Sequence, residues 1–226
     1  MSLRRRPGRR PRLLLLAAGA ASAVLIAVGL TGFAASTTGS TAAPLEAHSA
    51  PVDLRGNAVA PDQADIPAAA AVQKANPVEA SGGDRFSVPS VGLNVPLGAL
   101  DEVDGAIVPP GFRSAYLVRN RGASPQDPGK GTVFVVMHAV RGGVGPGNYL
   151  IDVDGGRAAI ARGAEIAVQG KVYVVSGAET VGKTDLPRHA EVWANTPDRL
   201  VVITCLLRPA DKTPVDNVVI FATLRR

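Results

Sequence analysis

The sequence predicts an all-β domain, a closed or nearly closed barrel, over residues 84–226. Three observations predict it. Short runs of β-branched and apolar residues recur at 85–88, 93–97, 131–137, 165–168, 171–175, 200–204 and 217–224. Gly, Pro, Asn and Asp fill the gaps between them. No convincing amphipathic helix longer than about three turns appears in the same stretch; the best short ones are 158–162 and 188–194. Seven or eight strands in about 140 residues suit a barrel better than a helix-covered sheet. No internal repeat recurs at a fixed period.

Composition supports a packed domain and locates the charge. The chain has 226 residues, 46% apolar and 19% charged, which allows a core and excludes wholesale disorder. The formal charge of +5 would suggest a polyanion partner, but Arg4, Arg5, Arg6, Arg9, Arg10 and Arg12 carry it. Removing those six leaves 18 Lys and Arg against 19 Asp and Glu, so the body is near neutral. No nucleic-acid surface is expected.

The basic end has a different use. Residues 1–12 precede 13–35, LLLLAAGAASAVLIAVGLTGFAA, 23 residues without a charge. At about 1.5 Å per residue this spans a hydrocarbon core of roughly 30 Å. Arginines on one flank only predict that 1–12 stay cytoplasmic and the rest is exported through a single-pass cell-membrane anchor. The rival is a cleaved signal peptide, with small residues at Phe33-Ala34-Ala35-Ser36; the apolar run exceeds the usual 7–15 residues, which favours a retained anchor.

Residues 36–83 are rich in Ala, Ser, Thr, Pro and Gly, without an aromatic residue. Pro44, Pro51, Pro61, Pro67 and Pro77 interrupt any long helix. The segment is expected to be an extracellular tether with at most a short helix at 64–74, and His48 a solvated residue within it. No chemistry is expected before residue 84.

Within the barrel, His138 ends the strand TVFVVM and opens a glycine-rich loop, and Cys205, the sole cysteine, ends the strand LVVIT. Residues where strands leave a sheet are held rigidly yet open to a substrate. A thiolate is a nucleophile, and a nearby imidazole can move its proton. A lone cysteine is commonly plain core. In an exported chain an unpaired thiol risks oxidation without structural gain, so it calls for a role. One cysteine also excludes a disulfide framework and a multi-thiolate zinc site.

Val136-Met137-His138 with its glycine-rich loop, the run from Leu200 to Thr204-Cys205, and the final strand from Asp216 to Ala222 resemble a sortase. The segments 86–95, 104–109 and 129–131 agree, so the resemblance covers 84–226 and is to actinobacterial sortases of the E/F type. It implies an eight-stranded barrel behind an N-terminal membrane helix, and a catalytic role for Cys205. Cys205 would attack the Thr–Gly carbonyl of an LPXTG-like signal and form a thioester. His138 would protonate the leaving amine and then deprotonate the incoming one. Thr204 would position substrate, or serve as a strand residue. The partners implied are secreted proteins bearing sorting signals and an amine acceptor of the cell wall or a pilin. No cofactor or metal is expected, and the catalytic domain is expected to be monomeric.

The family also uses an arginine for substrate binding and oxyanion stabilisation, ordinarily near what are here Val215-Asp216-Asn217, and none stands there. Arg208 is the first replacement and Arg141 the second. The departure keeps open a weak or inactive barrel that acts as an adaptor. Papain-like peptidases place Cys before His, and L,D-transpeptidases need a closer histidine, so both fit poorly.

Gly177-Ala-Glu-Thr-Val-Gly182-Lys183-Thr184 matches a phosphate-loop pattern, but Pro187 follows at once and the next strand lacks the acidic residue that would hold magnesium. No nucleotide is expected. Asp152-Val-Asp154-Gly155 lacks the remaining ligands of a calcium loop. His189 is expected at the surface.

Overall fold

A computed structural model of the chain describes residues 51–59, 82–208 and 214–226. The expected cytoplasmic segment 1–12, anchor 13–35 and helix at 64–74 lie outside them. No helix among the described residues is long and apolar enough to cross a membrane.

The strands are Arg85–Val88 (β1), Leu93–Leu100 (β2), Ala115–Val118 (β3), Thr132–Met137 (β4), Ile151–Asp152 (β5), Arg157–Ala158 (β6), Glu165–Val168 (β7), Lys171–Gly182 (β8), Arg199–Leu206 (β9) and Asp216–Leu224 (β10). Eight of them close a barrel in the order β1-β2-β3-β4-β9-β10-β8-β7, with β7 pairing back onto β1. β5 and β6 form a separate hairpin. The expected eight-stranded closed barrel is the architecture found.

Two neighbouring pairs are parallel, β2 with β3 and β4 with β9. Parallel strands are ordinarily covered on both faces and read as continuous apolar runs. β4 obeys this. Val133, Val135 and Met137 enter the barrel interior beside Leu93, Ile166 and Val202. Phe134 and Val136 pack outward with Val201, Ile203 and Val219, beneath Val192. Val192 belongs to a one-turn helix, Ala190–Trp193 (α1), which lies in the connection between β8 and β9.

Several elements differ from expectation. β3 is a strand although AYLV is only four residues long; pairing on both sides compensates for weak local signal. The segment 158–162 is not helical, since five residues provide too few bonds to nucleate a helix. The expected helix at 188–194 contracts to α1, preceded by a 3-10 turn at Leu186–Arg188. β8 continues seven residues beyond 175, because β10 pairs with it as far as Gly182. The phosphate-loop pattern is therefore largely strand, and Lys183 starts no helix.

The tether differs most. Residues 51–59 belong to the same compact unit as the barrel and form a turn closed by a bridge between Val52 and Ala58. Leu54 packs against the barrel's interior cluster. Low apolar content hid this, because one buried carboxylate and a few backbone bonds hold the turn.

Tyr173 on β8 is fully buried, and its hydroxyl has no hydrogen-bond partner among the described residues. Burial first, then the negative charge of Asp198, push the phenol from 10.0 up to about 12. A raised folded value means stability complete below pH 10.0 and lost as pH rises through about 12. Tyr173→Phe should unfold at an equal or higher urea concentration at neutral pH and show a shallower loss across that alkaline window. Urea melts of both proteins across the pH series check this; an unchanged alkaline loss would contradict it.

Candidate active site

The register of β4 on β9 sets the site. Met137 pairs with Thr204, so His138 and Cys205 are the next residues along two adjoining parallel strands. Neighbouring strands run about 4.7–4.9 Å apart, and paired residues share a face. By strand alternation His138 and Cys205 fall with Val136 and Ile203, which face outward, and at the strand end Cys205 also packs against the interior cluster. Both residues are half-buried. The two residues singled out in the sequence are thus brought together at one end of the barrel.

Further groups fix His138. Its Nε2 lies 2.9 Å from the Pro109 carbonyl, which can only accept, so Nε2 carries a proton in this geometry and Nδ1 is the remaining nitrogen. Phe112 stacks on the imidazole with ring centroids 4.6 Å apart. Pro109 and Phe112 belong to the connection between β2 and β3. The resemblance over 104–109 assigns Pro109 no role and no motif marks Phe112, since their role depends on where that connection crosses the end of β4.

The loop after His138 is folded by backbone bonds. Asn148 Oδ1 accepts from the Val140 and Gly145 N–H groups, each at 2.7 Å, and Nδ2 donates to the Val140 carbonyl. Gly147 N donates to the His138 carbonyl at 2.8 Å. A Cβ on Gly147 would sit 1.9 Å from Thr204 Oγ1, so only glycine allows the loop to close this near β9. Thr204 itself is buried on the inner face, opposite to Cys205, and its hydroxyl has no partner among the described residues. Its placement bears on the histidine loop rather than on the outer face.

Asp53, in the segment expected to be a bare tether, clamps the same loop. Its side chain is fully buried. Oδ1 accepts from the Arg55 and Asn57 N–H groups, and Oδ2 accepts from Val144 N at 2.9 Å. Leu54 N donates to the Val144 carbonyl, completing a two-way tie. The Val144 N–H, followed by the Asn57 and Arg55 bonds, outweighs burial and holds the carboxyl below its usual 3.8. The spacing of Asp53 and Asn57 in a glycine-containing turn was the available signal.

The candidate arginines stand at the same end. Arg208 is ion-paired through Nη1 with Asp216 and is partly exposed. Asp216 precedes Asn217 on β10 and alternates to the face opposite Cys205. Arg141 is exposed and donates to the Arg208 carbonyl at 3.1 Å. Bringing Arg208 over Cys205 requires the Asp216 pair to open.

Other marked residues are accounted for locally. His189 is half-buried rather than at the surface as expected: its Nε2 lies 3.6 Å from Glu179 Oε1, and its Nδ1 has no hydrogen-bond partner among the described residues. Asp152 accepts from Gly155 N and pairs with Arg157. No cluster of three or more metal-ligating side chains occurs among the described residues. A polar cavity of about 500 Å³, lined by Glu102, Asn120, Arg121, Trp193 and Asn195, lies by the start of β4, away from His138 and Cys205. Arg121 is already paired with Glu102 and stacked over Trp193, which leaves its charge matched.

No protein-family model matches the chain, and no curated protein sequence does. Among solved structures it is similar to sortase A of Listeria monocytogenes, at 20% identity and a TM-score of 0.46, over 63% of this chain and 86% of that one. It is also similar to a pilus-related sortase C of Group B Streptococcus, at 13% identity and a TM-score of 0.48. A third is sortase C-1 of Actinomyces oris, at 12% identity, a TM-score of 0.46 and 73% of that chain. The chain spans 66% of the streptococcal protein, just under two thirds.

Loss of the clamp should loosen the histidine loop specifically. In Asp53→Ala, hydrogen exchange should quicken at residues 51–59 and 139–149 while β8 and β10 keep their protection. Exchange unchanged at Val144 would contradict the clamp. Because the carboxyl is held below 3.8, the clamp should persist above that pH and weaken as pH falls beneath it.

Proposed function

We propose that the chain is a sortase-type cysteine transpeptidase, anchored through 13–35 with 1–12 in the cytoplasm and its barrel outside the cell membrane. The observation that carries this is the junction of His138 and Cys205 at the ends of paired parallel strands. The motif resemblance over 84–226 supplies the substrate class, a secreted protein with an LPXTG-like sorting signal.

In the reaction, the Cys205 sulfur bonds to the Thr–Gly carbonyl carbon and the carbonyl pair moves onto oxygen. Collapse breaks the C–N bond, and the departing amine takes a proton from His138. An acceptor amine of the cell wall or a pilin then loses a proton to His138 and attacks the thioester, which releases the thiolate. Pro109 and Phe112 hold the imidazole for these transfers, and Gly147 secures its backbone. No cofactor is required.

Arg208 is proposed to bind the substrate at the rim after leaving Asp216, with Arg141 as the second choice. Thr204 is proposed to act in positioning through the packing of the histidine loop. The Arg208–Asp216 pair favours one second reading, a weakly active or inactive sortase-like barrel that binds sorting signals as an adaptor.

Cys205→Ala should abolish acyl transfer while leaving the fold intact, since one half-buried thiol contributes little to the core. His138→Ala should also remove turnover. Mass spectrometry of the wild type with a fluorogenic Leu-Pro-Xaa-Thr-Gly peptide panel should find an acyl adduct on Cys205; binding without an adduct would support the adaptor instead. Arg208→Ala should raise KM by roughly tenfold with kcat nearly unchanged, with partial rescue by lysine, because a point charge lacks the guanidinium fork. A loss confined to kcat would assign Arg208 a different role.

A further inference from the structure

We infer that Asn217 is the hydrogen-bond donor that stabilises the oxyanion formed at Cys205. This deepens the proposed transpeptidase, on which it rests, by assigning a group to the step for which the expected arginine is missing.

The inference starts from strand register. Asn217 on β10 pairs directly with Cys205 on β9. On its other side it pairs with Val181 of β8. With His138 one step past the Met137–Thr204 pair, the sheet carries a row of Val181, Asn217, Cys205 and His138 across four strands. Side chains paired in this way share a face, and antiparallel partners hold their Cβ atoms about 4.5–5.5 Å apart. Asn217 and His138 therefore flank the thiol from opposite sides, one carrying a carboxamide and the other an imidazole.

Burial and bonding supply the second observation. Asn217 is only 7% exposed. A buried carboxamide is ordinarily satisfied, and even the more exposed asparagines of the described residues make side-chain hydrogen bonds. Asn57 bonds Asp53, Asn94 accepts from Arg85, Asn120 bridges to Glu102, Asn148 ties the histidine loop, and Asn195 accepts from Thr132. Asn217 alone makes no side-chain hydrogen bond among the described residues. A side-chain N–H beside a nucleophile that is committed to no other side chain or backbone group is available to donate when charge appears on the carbonyl oxygen.

The balance of the step is simple. As sulfur bonds to carbon, the carbonyl pair moves to oxygen, and Asn217 Nδ2–H donates to that oxygen without giving up its proton. When the C–N bond breaks, the carbonyl re-forms and the hydrogen bond weakens. The residue thus acts in the transition state and leaves proton transfer to His138.

The test separates acylation from simple nucleophilicity in the full-length protein. Acylation of Cys205 by p-nitrophenyl acetate passes through an oxyanion; alkylation by iodoacetamide does not. In Asn217→Ala, acylation should fall by about 10²-fold while alkylation stays within about twofold. Asn217→Asp should be at least as slow at neutral pH and should recover as acid protonates the carboxyl, which can then donate. Asn217→Gln controls for folding and should retain part of the rate. Acylation that drops less than about threefold in alanine, or that drops in step with alkylation, would overturn the assignment. The sorting-signal reading fails separately: wild type that acylates normally with the ester but turns over none of the peptides contradicts that reading and leaves the Asn217 comparison intact.

Discussion

The parallel pairing of β4 and β9 is the constraint on which the site depends. Each strand could carry its terminal residue anywhere along the barrel rim. The pairing of Met137 with Thr204 fixes their relative slide, and a one-residue slip would turn one of the two functional side chains to the opposite face. Apolar packing on both faces prevents that slip. Val133 and Val135 would leave the interior, and Phe134 would have to enter it. The chemistry is therefore held in place by a hydrophobic pattern that contains no chemical group.

Polar bonds then refine what the core has set. Asn148 folds the loop after His138, Gly147 brings it against β9, and Asp53 fastens it from the segment before the barrel. A buried carboxylate is tolerated here because backbone N–H groups surround it. The result links the stretch leading from the expected membrane anchor to the loop that carries the imidazole. Orientation of the ring falls to Pro109 and Phe112, which come from a third part of the chain.

Legibility of these features in the sequence follows how local their causes are. The runs TVFVVM and LVVIT announced buried strands, and His138 and Cys205 were visible at their ends because polar residues stand out after such runs. β3 was missed, since four residues supported from both sides need little propensity of their own. The Gly177–Thr184 pattern was set aside on the sequence because Pro187 follows it, and its pairing with β10 gives it an extended backbone. Asp53 and Asn217 were hidden for a different reason. Their surroundings come from residues 91 and 12 positions away, so only the register and the docked turn reveal them. Arg208 could be chosen by proximity in sequence, whereas its pairing with Asp216 depends on where β10 begins.

The adjacency of positions 138 and 205 is the central claim, and a cross-link measures it directly. Disulfides form between residues whose Cα atoms are about 4.4–6.8 Å apart. In His138→Cys the new thiol should pair with Cys205 under mild oxidation, leaving the unfolded, unreduced protein with no free thiol by Ellman titration and recovering two after reduction. Two free thiols throughout, in a protein that retains its β-sheet circular dichroism, would contradict the shared strand end on which the account rests.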